Sequence, residues 1–384
     1  MALDARKKSS LALIGGAAAC VIVLVALVAG GWLFLRADID RGSATVVEVE
    51  LSDRDDTVRE GVLTPPGVSS DKKPSVPGDG EGAEAGPRVT VGLDGVVMPS
   101  VTAAAYSRAP LAARDETAVN AADPALLEQK GDLALPKIAE DGRMAWRVYS
   151  RPFVSRDDRP RLAIIVTGLG LSAVATEAAI ARLPGPVTLG FHPDAPNLEK
   201  WAEMARRAGH EVLLSIPMEP ADFPFDDPGP NALLTTLDTE ENLVRLEHLL
   251  GRLTGFAGVI SIMGSKFSRD EGRLRPVLET LNSRGVMYVE AAGASHSLAP
   301  GIATEIGLPR VIVDVELDAK PSESAIEAQL ARLESIARKR SVAVGLARPY
   351  PVAIASLAKW VATLKEKDYV LAPASAVVDR QFLP

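Results

Sequence analysis

Residues 259–268 read VISIMGSKFS, an apolar run that opens into a small, polar stretch. That is the pattern of a buried strand leading into a loop able to hold something. The last inward positions, Ser261 and Ile262, bring neither a strong metal ligand nor an acid–base group. Just past the other apolar runs stand Thr167-Gly168, His192 with Asp194, Glu219, Ser265-Lys266, Glu290, Asp314 with Glu316, and Arg348 with Tyr350. A metal-assisted hydrolysis would need three convergent His, Asp or Glu ligands and a base. His192, Glu219 and Asp314 are the candidates for such ligands, with Asp194 and Glu290 in reserve. Arg348 and Lys266 suit a carboxylate or phosphate, since a guanidinium fork fits planar anions. Ser261, Ser265 and Tyr350 complete the set of ligand-binding candidates.

The chain has four histidines. His248, in LVRLEHLL, follows a helical pattern and reads as a helix-surface residue. His210, in AGHEV, sits at a helix-to-strand turn and is expected to make a structural hydrogen bond. His296, in GASHSLAP, reads as structural at a helix start. Only His192 is placed for a pocket.

The elements that must position these residues alternate regularly. Apolar, β-rich runs occur at 162–167, 187–191, 211–216, 258–262, 286–290, 310–315, 342–347 and 369–372. Helical patterns lie between them, at Ala173–Leu183, Ala195–Ala208, Thr239–Leu253, Leu274–Arg284, near Gly301, at Ser322–Arg340 and at Ala353–Lys367. Continuous apolar strands imply burial on both faces, and strand–helix alternation implies parallel pairing through right-handed crossovers. Without a GxGxxG turn after the first strand, the pattern fits a distorted (β/α)7-8 barrel of parallel strands. Chemistry in such barrels sits at the C-terminal strand ends.

The chain has 384 residues, 47% hydrophobic, with a net charge of −8. The acidic balance excludes nucleic acid, whose binding needs a basic face. The single cysteine, Cys20, excludes a disulfide framework and a Cys-rich zinc site. Residues 11–35 carry no charge, and as a helix would span roughly 37 Å. Arg6, Lys7 and Lys8 precede this run, so the positive-inside rule leaves residues 1–10 as a cytoplasmic tail. The run is too long for a cleaved signal peptide. It is expected to be a transmembrane helix in the inner membrane, with the rest of the chain periplasmic. Residues 36–135 are rich in Pro, Gly, Ser and charge in their middle, and read as a disordered extracytoplasmic linker. The segment RVTVGL (88–93) reads as a short strand with nothing obvious to pair with. Residues 136–384 form the folded domain.

That domain resembles the divergent polysaccharide deacetylase family, relatives of the NodB-type deacetylases. The resemblance covers residues 136–378. It rests on GHEVLLSIPMEP (209–220), DPGPNALL (227–234), the helix TEENLVRLEHLL, MGS (263–265), DVELD (314–318) and RPYP (348–351), in the family's order and spacing. It implies a distorted (β/α) barrel in which a divalent metal, usually zinc, polarises the amide of an N-acetylated amino sugar and activates a water. An aspartate would then act as base.

This sequence departs from the family at those positions. Thr167 and Gly168 stand where the family has two aspartates. Ser261 and Ile262 replace Asn-His, Arg348 replaces the histidine before Pro-Tyr-Pro, and Glu290 replaces an aspartate. Isoleucine cannot bind metal, and arginine stays protonated. The leading expectation is therefore a membrane-anchored, catalytically degenerate domain without a cofactor that binds an envelope glycan or a protein partner. Two alternatives stand beside it. One is an active zinc amidohydrolase with a rebuilt site, and the other is a scaffold for envelope assembly.

Overall fold

The computed structural model describes residues 89–91, 97–99, 101–113, 117–154, 158–291 and 297–381. The expected transmembrane segment 11–35 lies outside them. Among the described residues no helix is long and apolar enough to cross a membrane.

In chain order the strands are β1 (Val89–Val91), β2 (Val97–Pro99), β3 (Leu127–Lys130), β4 (Leu133–Pro136), β5 (Arg161–Leu169), β6 (Thr188–Phe191), β7 (Val212–Met218), β8 (Gly258–Met263), β9 (Met287–Glu290), β10 (Arg310–Ile312), β11 (Val315–Glu316), β12 (Val342–Ala347) and β13 (Val370–Ala372). The helices are α1 (Ala145–Val148), α2 (Ala173–Arg182), α3 (Leu198–Arg207), α4 (Thr239–Leu250), α5 (Glu271–Ser283), α6 (Ala299–Ile306), α7 (Glu323–Arg340) and α8 (Pro351–Thr363). Each apolar, β-rich run from residue 162 onward lies in a parallel strand or strands. Leu162 to Val166 of β5 are fully buried, as a strand covered on both faces must be. Polar N-caps start the helices where the apolar period begins. Ser172 caps α2, Asp270 caps α5 and Ser322 caps α7, while Asp238 and Glu241 form a capping box on α4.

The main sheet runs β10-β9-β8-β7-β6-β5-β12-β11, with β13 also on β5. Every pairing in it is parallel. Its two end strands are consecutive pieces of one stretch, Arg310–Glu316, separated only by Val313 and Asp314. Val313 N donates to Glu290 O on one side (2.9 Å), and Asp314 N donates to Val344 O on the other (2.9 Å). The sheet therefore curls round until it meets itself. This also explains why the single strand expected at 310–315 appears as two, because it changes partner at its middle.

The linker boundary needs correction. Order begins well before residue 136. Tyr106, Ala109, Val119, Leu126 and Leu135 are buried in the core of the same domain. Ala112 N donates to Ala181 O at the end of α2, Val119 N donates to Arg206 O at the end of α3, and Lys130 pairs with Glu247 of α4. The segment wraps the outside of the barrel, and many of its apolar side chains are small alanines, with Tyr106, Val119, Leu126 and Leu135 reaching into the core. The stretch at 88–93 also has a partner, since β1 pairs antiparallel with β2.

Candidate functional site

The inner face of the barrel is identified by Gly190. A Cβ placed there would lie 3.0 Å from Thr167 Cγ2 and 3.5 Å from Ile260 Cγ2. Ile260 is on β8, two strands away from β6, so these side chains meet inside the curl. Alternation along β8 then turns Ile262 inward and Ser261 outward. On β12, a Cβ at Gly345 would meet Leu333 of α7 at 3.0 Å, so Gly345 faces the helices and Leu346 faces in. Arg348 follows at the same end. Thr167, Ile262 and Arg348 thus stand at the C-terminal mouth, as expected. Gly168 is there for its backbone: its φ of +76° is the left-handed conformation that glycine adopts freely.

Glu219 is not available to a ligand. It is 1% exposed, and both carboxylate oxygens are engaged. Lys266 Nζ lies 2.7 Å from Oε1, while Thr235 N and Oγ1 donate to Oε2 at 2.5 and 2.6 Å. Its own carbonyl accepts from Lys266 N and Phe267 N, both at 3.1 Å. Burial alone would raise the carboxyl, but the bonds from Lys266 and Thr235 outweigh it and hold Glu219 below the ordinary carboxylate range. The MGSKF turn makes this clasp possible. Met263 and Gly264 both have positive φ, and Gly264 N donates to Met218 O (3.1 Å). Ser265 Oγ accepts from Ala221 N (2.9 Å), and Asp227 Oδ1 accepts from Gly229 N (2.9 Å). Glu219, Ser265 and Lys266, expected to touch a ligand, instead tie two loops of the rim together.

Asp314, another expected ligand, is also spent. Its Oδ2 accepts from Val344 N (2.9 Å) and Gln381 Nε2 (2.8 Å), and Arg340 lies 3.8 Å from Oδ1. Burial raises its carboxyl despite these bonds. Asp318 is fully buried and accepts from Arg348 N (2.7 Å), with Arg348 Nε 3.6 Å from Oδ1. Burial pushes Asp318 up to about 6, against the pull of the Arg348 amide and guanidinium. Arg348 also reaches Glu316 (3.2 Å) and stacks over Tyr350, 5.2 Å from the ring centroid. The two cations expected to hold an anion, Arg348 and Lys266, are thus paired within the chain.

Ser261 and Glu290 require a correction of place. Val289 lies beside inward-facing Ile260, so Tyr288 and Glu290 project to the opposite, helix-covered face together with Ser261. Tyr288 Oη donates to Glu290 Oε2 (2.7 Å), and Ala291 N donates to Ser261 Oγ (3.1 Å). Burial pushes Glu290 up to about 7.

His192 is 4% exposed, and Asp194 N donates to its Nδ1 (3.3 Å), which leaves the ring proton on Nε2. Burial lowers its pKa, opposed by Asp194, so the ring is neutral near pH 7. His210 bonds Val187 O (2.8 Å) and Ile180 O (3.2 Å), the structural role expected, and His248 lies exposed on α4. His296 lies outside the described residues. Among the described residues, no three His, Cys, Asp or Glu side chains come together in a group able to hold a metal ion.

Two contacts were not legible beforehand. Tyr106 Oη donates to Pro349 O (2.7 Å), which fixes the RPYP turn from the N-terminal segment. Thr235, sixteen residues past Glu219, closes the clasp on its carboxylate. Neither lies in a local pattern. The Tyr288–Glu290 pair did carry a signal, because alternate residues of a strand share a face.

The curled parallel sheet, its helix layer and the order of blocks around the mouth define a domain of the deacetylase type. The chain belongs to the divergent polysaccharide deacetylase family, whose model matches residues 164–378. Two similar curated proteins are the uncharacterized protein YibQ of Escherichia coli and an uncharacterized protein of Haemophilus influenzae. The first is 23% identical over 220 residues, 57% of this chain and 67% of its own. The second is 23% identical over 213 residues, 54% of this chain and 72% of its own. A crystal structure of an uncharacterized protein from Agrobacterium tumefaciens C58 superposes with a TM-score of 0.62 at 36% identity, covering 64% of this chain and all (100%) of that one.

Proposed function

We propose that this is a membrane-anchored domain of the cell envelope that keeps the deacetylase architecture, has given up metal-dependent hydrolysis and binds an envelope glycan. The observation that supports this reading is the state of the mouth. Thr167, Gly168, Ile262 and Arg348 stand where the resemblance puts the family's ligands and base, and the carboxylates around them are already bonded. Glu219 is held by Lys266 and Thr235, Asp314 by Val344 and Gln381, and Asp318 by Arg348. A zinc ion needs three free ligands pointing at one place, with bonds near 2.0–2.2 Å. This donor set does not fit it, so no catalytic step is derived through a metal. Residues 11–35 would anchor the chain in the inner membrane and leave the domain on the periplasmic side.

The test is zinc content of the full chain, purified in detergent, after zinc loading and desalting, alongside release of acetate from N-acetylglucosamine oligomers. Less than about a tenth of an equivalent and no acetate is the expected result. Near one equivalent, lost on His192→Ala, together with acetate release, would overturn the reading in favour of a rebuilt hydrolase.

A further inference from the structure

In a parallel ladder, alternate residues of a strand turn their N–H and C=O groups to the same side. Tyr288 N donates to Pro309 O (2.8 Å) and Val313 N donates to Glu290 O, so Pro309, Val311 and Val313 bond toward β9. Arg310 and Ile312 therefore turn their peptide groups the other way, toward β12. Among the described residues no ladder joins β10 to β12, which pairs with β5 and β11. The curl closes at Asp314 but leaves the seam alongside Arg310–Ile312 without a strand.

Residues 379–381 fill that seam. Asp379 N donates to Arg310 O (3.0 Å), and Arg310 N donates to Asp379 Oδ1 (3.2 Å). Gln381 Oε1 accepts from Ile312 N (2.7 Å), and Gln381 Nε2 donates to Ile312 O and to Asp314 Oδ2 (2.8 Å). All four groups that β10 turns away from β9 are thus bonded by this one segment. The buried Gln381 amide acts as a neighbouring strand would, giving an acceptor and a donor to one residue. Arg310 Nη2 in turn donates to Gln381 O (3.3 Å), which holds the segment down. The charged groups at the seam are Arg310, Asp379, Asp314 and Arg340, the last 3.8 Å from Asp314 Oδ1. From Asp314 the chain runs through β11 to Glu316 and Asp318, the partners of Arg348 at the mouth.

We propose that residues 379–381 are a detachable strap over the barrel seam. A segment held by a few bonds opens locally at lower cost than a sheet paired on both sides. Its release frees residues 310–318, with Glu316 and Asp318 among them, while β6, β7 and β8 stay paired. The strap thus sets the position of two carboxylates of the mouth, whatever the mouth binds.

The experiment is hydrogen–deuterium exchange, read by mass spectrometry, on the full chain in detergent and on two variants. Gln381→Ala removes both ends of the amide. Exchange across 310–318 and 342–348 is expected to rise at least about tenfold, with 188–218 and 258–263 unchanged. Gln381→Glu makes the effect depend on pH. At pH 8 its carboxylate faces Asp314 Oδ2 and Ile312 O, and the seam should open as in the alanine variant. At pH 5 the two carboxyl groups share a proton, which restores a donor and an acceptor, and exchange should return to within about threefold of the parent at that pH. Unchanged exchange across 310–318 in both variants overturns the proposal. So does an equal rise across 188–218, which would make the segment a support of the whole fold. A Gln381→Glu effect of the same size at both pH values overturns it as well.

Discussion

Lys266 Nζ sits 2.7 Å from the buried carboxylate of Glu219, and the backbone amide of the same lysine bonds the glutamate's carbonyl at 3.1 Å. One residue thus grips another twice across 47 positions of sequence. Lys266→Met removes the ammonium and leaves the carboxylate buried on Thr235 alone. Because the lysine is half exposed, the loss is discounted to about 1–2 kcal/mol at pH 7. The folded-state pKa of Glu219 is lowered, so its stabilisation is present above the unfolded value and is lost as pH falls through the folded one. Urea denaturation should show the gap between variant and parent narrowing toward pH 4. A gap that does not change with pH would remove the ion pair as its cause.

Arg348 faces a different situation, because Asp318 is raised to about 6 even with the guanidinium beside it. A carboxyl raised above its unfolded value costs stability as pH climbs from the unfolded to the folded pKa. Arg348→Ala takes away the opposing charge and enlarges that cost, by about 1–2 kcal/mol at pH 8. At pH 4 the folded carboxyl of Asp318 is protonated in parent and variant alike, and the unfolded chains titrate identically, so this contribution to the difference should vanish. Denaturation curves at pH 4 and pH 8 check it, and equal losses at both would count against the assignment.

Glu290 offers the reverse experiment. Burial holds its carboxyl near 7, so stability should fall as pH rises from about 4.5 to about 7. Glu290→Gln keeps an acceptor for Tyr288 and has no charge to bury. The variant should gain on the parent across that window, by an amount on the order of 2–3 kcal/mol. Thermal melts between pH 4.5 and 8 measure it. Parallel profiles for the two proteins would refute the buried ionisation.

Tyr106 joins the N-terminal segment to the RPYP turn. Tyr106→Phe keeps the ring packed but leaves Pro349 O without its donor, at a cost of about 1 kcal/mol. Deleting residues 101–113 should cost considerably more, because Tyr106 and Ala109 leave the core with them. Urea midpoints for the two variants test the corrected boundary. If the deletion is harmless, residues 101–113 are not part of the domain's core.

Much of the fold could be read before any coordinate. The β/α order, the apolar strands and most helix starts followed from periodicity, since a strand buried on both faces must be apolar throughout. The family, too, was visible in short blocks, from PMEP to RPYP. The mouth was legible only as a set of positions. Thr167, Ile262 and Arg348 fell where the strand ends predicted, but Ser261 and Glu290 sit on the other face of the wall. In a strand buried on both sides, composition no longer distinguishes inside from outside.

The local polymer chemistry of the sequence thus settled which segments are strands, which are helices and where the polar ends of the strands lie. Only the tertiary structure decided which of those polar groups are free. Glu219 is taken by Lys266 and Thr235, Asp318 by Arg348, Asp314 by Val344 and Gln381, and Pro349 by Tyr106. Those pairings join residues from 16 to 243 positions apart. A hydrogen bond depends on where the chain returns in space, and no local period records that.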